Sequence, residues 1–143
     1  MATIEQTEKE IVDDFELFDE WTEKYQYIIE LGQKLPKLDA SYYTDENKIK
    51  GCQSSVWMNC EIKDDKIQFT ADSDSTFVKG LVSLLIRVLS KRKPEEIINA
   101  DLKFIDEIGL RQHLAQTRAN GLSAMIKQMK LYAIGFQSKT INS

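Results

Sequence analysis

The run Phe77-Val78-Lys79-Gly80-Leu81-Val82-Ser83-Leu84-Leu85-Ile86-Arg87-Val88-Leu89 constrains this chain more than any other stretch. Its apolar residues fall on almost every side of a helix. Only Lys79, Ser83 and Arg87, spaced i, i+4 and i+8, leave a narrow polar stripe. A helix of that kind must be covered on most of its circumference. It is therefore expected over about 75 to 91, at the centre, with the other elements laid around it. Asp72-Ser73-Asp74-Ser75 supplies cap residues at its start.

The candidates to cover it lie on both sides. Val56, Met58, Cys60 and Ile62 alternate with Ser55, Trp57, Asn59 and Glu61, the pattern of a half-buried strand. Lys63-Asp64-Asp65 reads as a turn, and Lys66 to Ala71 alternates again, so the two runs predict a hairpin. Upstream, Ile11, Phe15 and Phe18 share one face of a helix over about 5 to 17. Trp21, Tyr25, Ile28, Gly32 and Leu35 mark a second helix, with Asp19 as its cap, its aromatics in the core and its end before Pro36. Leu38 to Lys50 is a polar connector. Downstream, Pro94 opens a short helix to Asn99, and Asp101 to Gly109 reads as another. Leu122, Met125, Ile126, Met129 and Ala133 define a last helix over about 120 to 135, which leaves His113 and Arg118 in a loop before it. The predicted architecture is α+β: a small antiparallel β-sheet with helices packed against it. It forms one domain over 1–143, with a core of about 5–136 and a polar C-terminal tail, 137–143.

Composition narrows the function. Hydrophobic residues make up 42% and charged ones 29%, and no apolar run approaches a membrane span. Met1 to Glu10 has no apolar signal core, so a cytoplasmic location is expected. A net charge of −4 argues against nucleic acid as a partner, and Lys91-Arg92-Lys93 suits a helix C-terminus. Cys52, Cys60 and the single histidine, His113, make no metal-binding spacing, and Asp72-Ser73-Asp74 reads better as a cap than as an acidic metal site. No metal or cofactor is expected.

One stretch is not accounted for by packing. In Gly51-Cys52-Gln53-Ser54-Ser55 a cysteine follows a glycine at a loop tip that feeds the first strand. Lys48 and Lys50 would favour its thiolate. Such a thiol can attack a persulfide or disulfide sulfur without metal or oxyanion hole. A Cys–His hydrolase would need His113 beside Cys52, and no third orienting residue announces itself. An iron–sulfur scaffold would need more cysteines. An adaptor with Cys52 simply buried also fits, since free cysteines are often small core residues. Cys60 lies on the apolar stripe of its strand and reads as core. The residues alone leave Cys52 open between reactive and inert.

Four blocks together resemble the SufE family, sulfur acceptors of iron–sulfur cluster assembly closely similar to the CsdE proteins. They are Trp21 to Pro36, Ile49 to Trp57, Ala71 to Leu81 and Gln112 to Met125. The resemblance implies a SufE/IscU-like fold in which Cys52 matches the sulfur-accepting cysteine. It further implies that a pyridoxal-phosphate-dependent cysteine desulfurase of the SufS/CsdA type donates persulfide sulfur and is stimulated by the acceptor. The acceptor passes the sulfur to a scaffold complex of the SufBCD type and carries no cofactor of its own. Gly51 and Gln53 would shape the loop, while Asp74, His113 and Arg118 would position it or dock the partner. Delivery to tRNA thiolation or molybdopterin synthesis is the alternative destination. Two features depart from the pattern. Cys60 in Met58-Asn59-Cys60 has no counterpart, and Ala115-Gln116-Thr117 lacks an expected proline.

Overall fold

The computed structural model describes residues 2–142. Helix α3 (Thr76–Leu89) is its axis, capped by the Ser75 side chain, which accepts from the Val78 N–H. Phe77, Leu81, Val82, Leu84, Leu85, Val88 and Leu89 are all buried, as the apolar circumference requires. Each residue of the polar stripe meets a different element. Lys79 pairs with Asp72 at 3.2 Å, Ser83 donates to the Leu31 carbonyl at 3.3 Å, and Arg87 reaches Glu10 and Asp14 at 3.5 and 3.4 Å.

Those partners belong to the three elements around it. Strands β1 (Val56–Lys63) and β2 (Lys66–Ser73) form an antiparallel hairpin from Val56↔Ser73 to Lys63↔Lys66. Its two-residue turn puts Asp64 and Asp65 at φ 53° and 63°, the conformation of a type I′ hairpin turn. Val56 and Met58 are buried, but the stripe fades along β1, where Cys60 is half-buried and Ile62 is 42% exposed. Helix α1 (Ile4–Glu16) starts with a Thr3–Gln6 capping box and buries Ile4, Ile11 and Phe15. Helix α2 (Trp21–Gln33) lies closest to α3, where Gly32 meets Gly80 backbone to backbone.

Helices α4 (Pro94–Ile98), α5 (Phe104–Glu107) and α6 (Leu110–His113) lead to α7 (Gln116–Asn142), whose Leu122, Met125, Met129 and Ala133 are buried. The expected α+β arrangement is present, with a two-stranded sheet among the described residues.

Several local expectations are corrected. The cap position of α2 is Glu20 rather than Asp19, and no side chain caps it. Tyr25 is 37% exposed and so lies on the surface of α2, whereas Trp21 is partly buried and packs against the margin of the core. Arg118 lies in the first turn of α7, and His113 ends α6, rather than both being in a loop. Helix α7 continues through Asn142, because Tyr132 and Phe136 still pack on the core and no proline interrupts it; Ser143 lies outside the described residues. The polar connector carries short 3₁₀ turns at Ala40–Tyr42 and Asp45–Asn47.

Candidate functional site: a half-buried thiol on a closed loop

The Cys52 loop is closed at its base. The Ile49 N–H donates to the Val56 carbonyl at 2.8 Å, and Lys48 bridges to Trp57. Between them the chain turns out through Gly51 at φ 92°, a left-handed conformation that disfavours any side chain there. A second tie comes from the end of the hairpin. Asp74 Oδ1 accepts the Ser55 N–H at 3.0 Å, the Asp74 N–H donates to the Ser55 carbonyl at 3.2 Å, and Ser73 Oγ donates to the same carbonyl at 2.8 Å. Cap residues expected to serve α3 thus also fasten the cysteine loop to β2.

Held this way, Cys52 is folded back against α7. Its Sγ lies 3.6 Å from the Gly121 carbonyl and borders a cavity of about 110 Å³. Val78 and Leu81 of α3 and Leu122 and Met125 of α7 give the cavity apolar walls. Gln53 and Arg118 also line it, and no carboxylate or imidazole does. Burial pushes the Cys52 thiol up from its ordinary value. Lys48, expected to favour the thiolate, lies over the Trp57 ring at 5.9 Å instead, and burial alone causes the shift.

Arg118 is set by aromatics. Its Nη1 donates to the Tyr25 hydroxyl at 2.8 Å, and its guanidinium lies 4.7 Å over the Phe77 ring, which stacks on Tyr25 at 4.1 Å. His113 is elsewhere. Its ring stacks on Trp21 at 4.1 Å, its Nδ1 is 2.9 Å from the Gly109 carbonyl, and it does not line the Cys52 cavity. The structure therefore brings Gly51, Gln53, Asp74 and Arg118 to Cys52 and leaves His113 apart. Sequence reasoning missed Ser55, Ser73, Tyr25 and Phe77. Only the serines carried a signal, as turn-forming residues beside a strand. Among the described residues no group of acids, cysteines and histidine is arranged to hold a metal, and no helix is long and apolar enough to cross a membrane.

The second thiol is a different environment. Cys60 is pushed up to about 11, chiefly by burial and then by Glu61, against a lowering by Lys139. Both thiols are held protonated past their ordinary range, so both alkylation rates rise with pH. With iodoacetamide at about pH 8, Cys52 should react ahead of Cys60. Cys60 should reach half its limiting rate near pH 11. Peptide mass mapping across a pH series checks this; a Cys60 that reacts first would contradict it.

Fold and site together define a small α+β protein that presents a half-buried thiol from a doubly fastened loop. Residues 9–133 match the SufE family, described as an Fe-S metabolism associated domain, and the chain belongs to that family. An uncharacterised SufE-like protein of Rhizobium meliloti (strain 1021) is 40% identical over 131 residues, covering 88% of this chain and 94% of that one. A second, from Rhizobium etli, is 37% identical over 135 residues, 91% of this chain and 88% of its own. The fold is shared with a hypothetical protein of Thermus thermophilus solved in solution, at a TM-score of 0.74 and 18% identity over 96% of this chain and 97% of that one. Membership ties the chain to iron–sulfur metabolism and suggests a sulfur-related role with a cysteine desulfurase.

Proposed function

We propose that the protein accepts persulfide sulfur on Cys52 from a pyridoxal-phosphate-dependent cysteine desulfurase, stimulates that enzyme, and delivers the sulfur to a cytoplasmic iron–sulfur scaffold complex. The observation that carries this reading is the Cys52 thiol beside a cavity with apolar walls from α3 and α7, lined also by a cation and by no carboxylate. A hydrolase would need a base there, and none of the lining residues can serve. Sulfur transfer needs only a thiolate and a donor. The Cys52 sulfur attacks the outer sulfur of the desulfurase persulfide, and the S–S bond of the donor breaks as the new one forms. The departing electron pair stays on the desulfurase cysteine, which takes up the proton Cys52 gives up. No net oxidation occurs.

The cavity suits the product. A site needs about 15 Å³ to hold one water, so a cavity of about 110 Å³ has room for one more sulfur. Apolar walls shelter a persulfide from reductants and oxidants in water. Persulfides are more acidic than thiols, and Arg118 provides a positive charge in the same cavity for the anion. The upward shift of the Cys52 thiol keeps the resting protein quiet. Docking that draws the loop out of the cavity would remove the burial, and with it the cause of the shift. The test is peptide mass after incubation with a cysteine desulfurase and L-cysteine without reductant. One added sulfur is expected on the peptide containing Cys52; sulfur on Cys60 instead would overturn the assignment.

The Asp74 tie gives the loop its own prediction. Asp74→Ala removes one hydrogen bond worth about 1 kcal/mol, so the loop should open more often and Cys52 should alkylate about fivefold faster. Thermal melting of the variant separates loop release from general loosening. An unchanged alkylation rate in a fully folded variant would show that this bond does not hold the loop.

A further inference from the structure

The cavity beside Cys52 can be reached without moving the loop. Gln53 and Thr117 line it and are exposed, so it opens to solvent along their side. Its volume of about 110 Å³ is about seven times what one water needs, which suits a molecule of about five to seven heavy atoms. A sulfur donor presented by a protein must wait for the ties of Ser55 to Ser73 and Asp74 to loosen. A small molecule need not wait.

Charge narrows the class of molecule. Arg118 lines the cavity, and its Nη1 donates to the neutral Tyr25 hydroxyl at 2.8 Å. Among the described residues no carboxylate pairs with it. The Phe77 ring, 4.7 Å from the guanidinium, holds it in place without neutralising it. The remaining N–H donors of its planar fork stay available to an anion. Ser54 and Thr117 add two hydroxyls to the lining. In a chain of net charge −4, a nucleophilic sulfur and an unneutralised guanidinium share one small cavity. The matching ligand carries an electrophilic sulfur and a negative charge.

We propose that Cys52 also takes sulfur directly from a small anionic sulfane-sulfur donor of the thiosulfate class, with no desulfurase, an activity that rests on Cys52 being a sulfur acceptor. Thiosulfate, two sulfurs and three oxygens, fits the cavity. The Cys52 thiolate attacks its outer sulfur, the S–S bond of thiosulfate breaks, and the electron pair leaves on sulfite. The thiol proton passes to sulfite or to water. Sulfur moves from one S–S bond to another, so no oxidant or reductant is needed. Arg118 faces the oxygens of the incoming anion and then the persulfide anion that remains. An added nucleophile such as cyanide removes the outer sulfur as thiocyanate and returns the Cys52 thiolate.

The test uses the full chain at about pH 9, because burial holds the Cys52 thiol protonated past its ordinary range. Thiosulfate is the donor, cyanide the acceptor and thiocyanate the readout. Turnover is expected to saturate with thiosulfate and to exceed that of Cys52→Ser at least tenfold. Loss of a charge-assisted contact should raise KM for thiosulfate about tenfold in Arg118→Gln, while Arg118→Lys stays within about threefold of wild type. Benzenethiosulfonate offers the same chemistry on a body too large for the cavity. With each rate divided by that of free cysteine, thiosulfate should be favoured over it at least tenfold. Sulfur loading of the same preparation by a desulfurase and L-cysteine separates the two readings. Loading by the desulfurase without thiosulfate turnover would overturn this inference and leave the acceptor reading standing, whereas loading by neither donor would overturn both. A wild-type KM in a folded Arg118→Gln, or no preference for thiosulfate, would also overturn it.

Discussion

Cys52→Ser should abolish sulfur acceptance while leaving the fold in place. The side chain is half-buried and its one polar contact, with the Gly121 carbonyl at 3.6 Å, is weak. The substitution should therefore cost less than about 1 kcal/mol. A serine hydroxyl cannot form a persulfide. With a desulfurase and L-cysteine, sulfur bound to the acceptor should fall at least 100-fold from wild type, while Cys60→Ser should keep the wild-type level. The contrast follows from the two sites. Cys52 opens on a cavity with room for another sulfur, whereas the Cys60 thiol is pushed up to about 11. Stimulation of the desulfurase is the second readout. A Cys52→Ser variant that still supports full sulfur delivery would sink the carrier reading and leave an adaptor that only activates its partner.

What could be read from the residues is what local chemistry decides. An apolar circumference interrupted only by Lys79, Ser83 and Arg87 leaves a helix one place to sit, so α3 was legible as the axis. The hairpin was legible because alternation and an Asp-Asp turn agree. The cysteine loop was legible as a loop, because Gly51 stands where the alternating strand begins. Long-range geometry was not. Nothing local distinguishes a lysine beside a thiol from one over an indole, so the influence assigned to Lys48 was misplaced. A Cys–His pair needed His113 beside Cys52, and spacing could not show whether it lies there; its ring stacks on Trp21 instead. Arg118 is aimed by Tyr25 and Phe77, which lie 93 and 41 positions away in sequence. Asp74 is the instructive case. It was read as a cap and as a loop residue on separate grounds, and its contact with Ser55 shows how the end of β2 can govern the cysteine loop.

The same limit hides the close backbone approach of α2 and α3, and Gly80 is where it should be felt most. In isolation Gly80→Ala looks favourable, since alanine in a helix interior is better than glycine by about 1 kcal/mol. Here a Cβ at position 80 would stand 2.1 Å from the Ile28 carbonyl oxygen and 2.7 Å from its carbonyl carbon. Those atoms are backbone of α2, so no side-chain rotation relieves the clash. Helix α2 must move off α3, and Gly32, whose own Cβ would meet the Gly80 nitrogen at 2.6 Å, leaves no room to slide. The expected loss is about 3 kcal/mol or more, at the upper end for overpacking. Gly135→Ala on α7 is the control, because a Cβ there meets nothing within 4 Å. It should stabilise the protein by about 0.5 to 1 kcal/mol. Urea unfolding of both variants decides the matter through shifts of the midpoint in opposite directions. A Gly80→Ala protein as stable as wild type would mean that α2 and α3 are free to part. The rigid α3 wall of the Cys52 cavity, which starts at Val78 only two residues before this contact, would then lose its support.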